Sequence, residues 1–302
     1  MRTLLCVVIG MMSSLRVVGA TPDEIVSAAY PAKLSQIAAG HHYADKREQA
    51  YAAVTSSGTS YLVAAYSNGH VAAVALIDNS SASTKQVIRD HQTGAQPNVR
   101  AIDLDGDGNP EAVVTFTLGP RGGAETWIYR IQQGQLVPIG PMDEQGRSLL
   151  GSPDVVDFNG NGVMDLVDSS NVGESRDDPV IVKEHYMVRN GVYVEVAPLD
   201  FYELFFRGKA APVTTEETFT IPADALQKSY RLTIINGGFN GEGYRASAGS
   251  VVLNGVTVAS SSDFSQTRRS WTVSVPLQPS NSLSVRLEGK PSGRIIVAIR
   301  HD

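Results

Sequence analysis

Residues 103–111 read Asp-Leu-Asp-Gly-Asp-Gly-Asn-Pro-Glu, and the apolar run Ala-Val-Val-Thr-Phe follows at 112–116. Four carboxylates within nine residues repel one another, so the cluster demands a compensating charge. Numbered from Asp103, the acids Asp103, Asp105, Asp107 and Glu111 fall at positions 1, 3, 5 and 9. Gly108 stands at position 6 and Asn109 at position 7. A hard cation such as calcium takes about six to eight oxygen ligands at roughly 2.3–2.6 Å. Acids at alternate positions of a tight bend turn their side chains toward one centre. Glycine at position 6 permits the bend, and the Asn109 carbonyl adds a backbone oxygen. The spacing predicts a bound calcium ion (Ca2+) that cancels the repulsion.

The stretch recurs. Ile102–Phe116 aligns with Val156–Ser170 at a shift of 54 residues, and with Ala52–Tyr66 at a shift of 50. The later copy places Asp157, Asn159, Asn161 and Asp165 at positions 1, 3, 5 and 9, with Gly162 at position 6 and Val163 offering a carbonyl. Two carboxylates in place of four predict weaker calcium affinity. The earlier copy carries Ala53, Thr55, Ser57, Thr59 and Tyr61 at positions 1, 3, 5, 7 and 9. It has no carboxylate, so no metal is expected there. An EF-hand needs an acid at position 12 between two helices. Position 12 is Val114 in one loop and Asp168 in the other, and an apolar strand pattern follows both.

Asp-x-Asp-x-Asp-Gly-x-x-Asp/Glu followed by an apolar strand resembles the calcium loop of FG-GAP/VCBS-type repeats, the blades of integrin-alpha-like β-propellers. The resemblance spans about half of the chain beyond residue 20. It implies ligands at Asp103, Asp105, Asp107, Asn109 (carbonyl) and Glu111. In the later loop it implies Asp157, Asn159, Asn161, Val163 (carbonyl) and Asp165. A closed propeller takes at least about four blades. Three units require either an irregular fourth from the N-terminal segment or an open arc.

The organisation expected is all-β. A helical lead-in at 21–47 precedes three propeller-like β repeats at 48–207. A linker at 208–217 then leads to a C-terminal antiparallel β-sandwich at 218–302. The strands announce themselves by period-two patterns such as 126–131, 185–188, 192–196, 230–235, 251–258, 283–287 and 294–299, with Asn-Gly turns at 190–191 and 254–255. The C-terminal segment resembles a β-sandwich module appended to many secreted bacterial proteins.

Residues 1–20 carry Arg2, an apolar stretch from Leu4 to Met12, and small residues ending at Ala20. That pattern is a signal peptide, so a secreted or periplasmic bacterial protein is expected. Loss of Arg2 and Arg16 with it takes the net charge from −6 to −8. Cys6, the one cysteine, leaves too, so packing and metal must hold the fold without disulfides. An acidic chain lacks the basic face that nucleic acid demands. No later apolar run reaches the roughly 20 residues of a membrane span, so no membrane insertion is expected after signal cleavage.

No HExxH, GxSxG, P-loop or paired-cysteine motif occurs, and no catalytic residue is assigned. The expectation is a calcium-binding, non-catalytic binding or structural protein, its partner a protein or glycan at the cell surface. The alternative is an extracellular hydrolase or its accessory subunit, with the sandwich as a carbohydrate- or protein-targeting module. Trp127, Trp271, Tyr230, Phe239 and Tyr244 are candidates for a sugar platform, although aromatics in alternating strands are more often core.

Overall fold

The computed structural model describes residues 20–31, 34, 47–69, 71–91, 96–117, 123–171, 181–196, 199–208, 212, 214–237, 245–265, 267–289 and 291–301. The signal-peptide assignment and both Phe239 and Tyr244 lie outside them. The lead-in contains α1 (Pro22–Ala28), opened by a capping box in which Thr21 and Glu24 satisfy each other's backbone amides. Pro22 occupies the first turn, where no amide hydrogen is missed.

Three four-stranded antiparallel meanders follow. Sheet 1 is β1 (Glu48–Ser56), β2 (Thr59–Ser67), β3 (Ala72–Asp78) and β4 (Ser83–His91). Sheet 2 is β5 (Gln96–Ile102), β6 (Glu111–Thr117), β7 (Ala124–Gln132) and β8 (Gln135–Pro138). Sheet 3 is β9 (Asp154–Val156), β10 (Asp165–Asn171), β11 (Ile181–Arg189) and β12 (Val192–Glu195). The aligned copies occupy the same place in each sheet, the connection from the first strand to the second. Several hairpins turn on adjacent residues of positive φ, as at Ser57-Gly58 (50° and 78°) and Asn190-Gly191 (52° and 78°). That geometry matches the twist of the strands it joins.

The remaining strands are β13 (Phe201–Phe206), β14 (Thr214–Thr220), β15 (Tyr230–Asn236), β16 (Ala248–Leu253), β17 (Val256–Ala259), β18 (Ser270–Val275), β19 (Ser280–Glu288) and β20 (Arg294–His301). Sheet 4 has the order β13-β20-β15-β18, and sheet 5 the order β14-β19-β16-β17. The two share one apolar core that includes Leu232, Val251, Leu283, Val285 and Val297. This pairing differs from the expected boundaries in two places. Residues 201–206, expected within the third repeat, pair with β20. Residues 214–217, expected in a linker, belong to β14 and pair with β19. The reason lies in the far end of the chain: the partners of both strands are the last two strands, which no local pattern reveals.

The sheets pack in a row because the central strands of sheets 1 to 4 are apolar on both faces, while sheet 5, whose β16 and β19 bury alternate residues only, ends the row. In β6, Ala112, Val114 and Phe116 enter the core shared with sheet 1, while Val113 enters the core shared with sheet 3. In β20, Ile295, Val297 and Ile299 face sheet 5, while Ile296 and Ala298 face sheet 3. Alternate side chains of a strand point to opposite faces, so burial of both gives continuous apolar runs. The outer face of sheet 1 is covered by Ile25 and Val26 of α1 and by Leu34, and the outer face of sheet 3 by sheet 4. Among the described residues the ends of the three-unit row are therefore capped by helix α1 and by sheet 4, not by each other. Trp127, Trp271 and Tyr230 are all buried in these cores. Among the described residues, no helix is long and apolar enough to cross a membrane.

Ile296 tests the join between sheets 3 and 4. Ile296→Ala should cost about 2–5 kcal/mol in urea denaturation, as for any large buried aliphatic. A cost below about 0.5 kcal/mol, the range of surface substitutions, would mean that sheet 4 stands free of sheet 3.

Candidate metal-binding loops

The loop between β5 and β6 is built from its own acids. Asp103 accepts the amides of Gly106 (Oδ1, 2.9 Å) and Gly108 (Oδ2, 3.0 Å). Asp105 Oδ1 accepts the Asp107 amide at 3.2 Å, and Asp107 Oδ1 accepts the Asn109 amide at 2.7 Å. Side-chain oxygens closing local turns in this way are what aspartate does best. Gly106 and Gly108 take φ of 75° and 86°, a region that other residues enter only with strain. Leu104 at position 2 is fully buried in the core between sheets 2 and 3, which anchors the loop.

Glu111 opens β6 and is 1 % exposed. Its Oε2 accepts the Leu104 amide at 2.9 Å, and its Oε1 accepts Arg130 Nε at 3.0 Å. Arg130 also donates to Asp105 Oδ2 through Nη2 and to the Gly191 carbonyl through Nη1. Burial pushes the Glu111 carboxyl above its ordinary range, against the opposing pull of the Leu104 amide and Arg130. For Arg130, burial works against the charge, but the hydrogen bond to Glu111 and the charges of Glu111, Asp105 and Asp107 outweigh it and raise its pKa.

One ligand atom each from Asp103, Asp105 and Glu111 come within 4.8 Å of one another. Among the described residues no other group of three or more His, Cys, Asp or Glu does so. These are hard oxygen donors of the kind that bind hard divalent cations. The exposed Asp107 is outside the close group, and the Asn109 amide is engaged with it.

The loop between β9 and β10 repeats the architecture with amides in place of acids. Asp157 accepts the amides of Gly160 and Asn161 through Oδ1 and of Gly162 through Oδ2, at 2.7–3.2 Å. Asn159 Oδ1 accepts the Asn161 amide, and Asn161 Oδ1 accepts the Val163 amide. Phe158 at position 2 is buried between sheets 3 and 4, as Leu104 is one interface earlier. Asp165 is buried, and its Oδ2 lacks a hydrogen-bond partner among the described residues. His185 Nε2, also buried, lies 3.5 Å from that oxygen. Asp168 is turned away from the loop, accepting the amides of Gly151, Ser152 and Ser169. The two loops touch: the Met164 amide donates to the Leu104 carbonyl at 2.7 Å, and a Cβ on Gly106 would meet the Gly162 carbonyl at 3.2 Å.

Sequence reasoning missed Arg130 and His185 as neighbours of the position 9 acids. For Arg130 a signal was present, an arginine interrupting the apolar alternation of residues 127–131. Its partner strand could be known only from the sheet.

An FG-GAP-like repeat is found at residues 103–167, which takes in both acidic loops. No curated protein matches the chain. Among solved structures, an exo-β-1,3-galactanase from Phanerochaete chrysosporium bound to galactose is 13 % identical, with 83 % of this chain and 68 % of that chain covered and a TM-score of 0.22. A fructofuranosidase from Schwanniomyces occidentalis is 9 % identical, covering 80 % of this chain and 67 % of its own, with a TM-score of 0.19. The M60 catalytic domain with two CBM51 domains of ZmpB from Clostridium perfringens is 12 % identical, covering 85 % and 31 %, at 0.23. Scores this low carry no argument about fold or activity. The repeat at 103–167 is accordingly the family feature identified in this chain.

The unequal burial of the acids gives a direct test. Glu111→Ala strips partners from the Leu104 amide and from Arg130, and should cost about 3 kcal/mol or more in denaturant unfolding. Asp107→Asn keeps an oxygen for the Asn109 amide at an exposed site, and should stay within about 0.5 kcal/mol of the parent. Equal costs would contradict the burial difference.

Proposed function

We propose that this is an exported bacterial calcium-binding repeat protein with a non-catalytic binding or structural role at or outside the cell surface. The observation that carries the reading is the convergence of Asp103, Asp105 and Glu111 in a loop whose shape Asp103 itself fixes by accepting the Gly106 and Gly108 amides. Asp165 Oδ2, which makes no hydrogen bond among the described residues and has His185 Nε2 3.5 Å away, extends the same reading to the second loop, since a buried carboxylate oxygen calls for positive charge or a water. Ligands at the first loop would be Asp103, Asp105, Glu111, Asp107 and the Asn109 carbonyl. At the second they would be Asp157, Asn159, Asn161, Asp165 and the Val163 carbonyl. A bound divalent ion supplies positive charge and loop order, not a reactive group. The chain's own residues anchor the loops by Leu104 and Phe158, and the loops brace the joins between sheets 2, 3 and 4.

The partner we infer is a protein or glycan on the cell surface, approached by loops that a rigid sheet row holds in place. The acidic chain argues against nucleic acid. A glycan array and a pull-down from cell-envelope fractions distinguish the two classes of partner.

Calcium calorimetry tests the central claim. Calcium at about 100 times its dissociation constant should add about 2.7 kcal/mol of stability, read as a rise in melting temperature that chelator reverses. Asp105→Ala and Asn159→Ala change position 3 in the two loops, and the first should remove more of that rise. No heat of binding at millimolar calcium would end the reading.

A further inference from the structure

Arg130 occupies one side of the acidic cluster, and its position in the repeat is informative. Glu111 at position 9 lies one residue beyond the Ala112–Tyr129 pair of β6 and β7, which sets it opposite Arg130. In sheet 3 the matched acid Asp165 lies one residue beyond the Leu166–Tyr186 pair, opposite Met187. In sheet 1 the matched residue Tyr61 pairs with Asp78. The three units thus form an internal series. In register, the loop with four carboxylates is set opposite an arginine, the loop with two opposite a methionine, with His185 Nε2 3.5 Å from Asp165, and the loop with none opposite an aspartate. Positive charge appears at this strand position only where the loop is most acidic.

The contacts match a charge-balancing role. The Arg130 side chain is 18 % exposed and forks across Asp105 Oδ2 and Glu111 Oε1, which belong to two of the three converging acids. Its third contact, the Gly191 carbonyl in the β11–β12 turn, fixes the guanidinium from the neighbouring unit. A Cβ on Gly191 would come 3.1 Å from Arg130 Nη1, so a larger residue there would press the guanidinium by a few tenths of an ångström. A planar fork of this kind suits paired carboxylates, and it cannot be deprotonated away.

We propose that Arg130 is the resident counter-ion of the loop at 103–111: it holds the acids together without metal, and it sets the loop's calcium affinity below what four carboxylates alone would give. The first half is independent of the calcium reading, and the second half rests on it. A fixed positive charge in contact with two of the ligands repels an incoming divalent ion and competes for the same oxygens. The loop of unit two is therefore built to stay folded at low calcium, with the ion adding to an arrangement already in place.

The test uses Arg130→Met, which copies the residue of unit three, alone and combined with Asp105→Asn. In chelator, R130M should melt about 5 °C or more below the parent. Removing one of the unbalanced acids, with D105N in the R130M background, should recover part of that loss. A role limited to packing would not produce this recovery, so its absence overturns the first half. In calorimetry, R130M should bind calcium about tenfold or more tightly than the parent, and Arg130→Lys, which keeps the charge, should stay closer to the parent. Equal or weaker calcium binding by R130M overturns the second half. Binding by neither protein removes the calcium reading together with that second half, and the metal-free rescue then decides the counter-ion role alone. Should R130M fail to fold, folding of the double variant in chelator is itself the predicted rescue.

Discussion

The arrangement depends on one repeated apolar insertion. At position 2 of each aligned copy, within β1 in sheet 1 and in the loops after β5 and β9 in sheets 2 and 3, a side chain enters the core shared with the next sheet. Val54 enters the core between sheets 1 and 2, Leu104 that between sheets 2 and 3, and Phe158 that between sheets 3 and 4. Each is nearly or fully buried, which is worth about 1.5–3 kcal/mol of transfer free energy per side chain. The insertion fixes where the loop sits before any charge is considered. It also explains why the repeat persists in unit one after every acid has gone. The scaffold needs the apolar residue and the turn, not the carboxylates.

The charges are placed around that anchor. With Leu104 fixed, its amide is held against Glu111, and Glu111 is held against Arg130. Asp103 and Asp105 close turns over the same point. A buried carboxylate is tolerated because it is both hydrogen-bonded and paired, which is the condition for burying charge at all. The second loop reaches the same shape with asparagine amides at positions 3 and 5 and needs less counter-charge. His185 beside Asp165 is buried against Phe158, the ring planes tilted at 38° with 4.5 Å between ring centres. Loop chemistry and sheet packing therefore meet in one place in each unit.

The pair of sheets 4 and 5 completes the row as well as following it. Sheet 4 covers the face of sheet 3 that a further repeat would otherwise cover, through Ile296, Ala298 and Tyr202 against Val156, Val167 and Phe158. At the other end α1 does the same for sheet 1 with Ile25 and Val26. Three units that are apolar on both faces leave two apolar faces exposed. Helix α1 and sheet 4 are what this chain supplies to cover them.

The sequence by itself determined the β character, the threefold recurrence, the hairpin turns and the residues of both acidic loops. These are local properties, carried by alternation, by glycine and asparagine at positive φ, and by the spacing of acids within nine residues. Only the tertiary structure decided the membership of β13 and β14, the capping of the row, and the partners of the position 9 acids. Strand β13 is tied to β20 across nearly 90 residues of chain, and Arg130 reaches Glu111 only because two strands lie side by side in one register. Contacts between distant segments follow from which buried faces are left to be covered, a property of the whole chain that no short window contains.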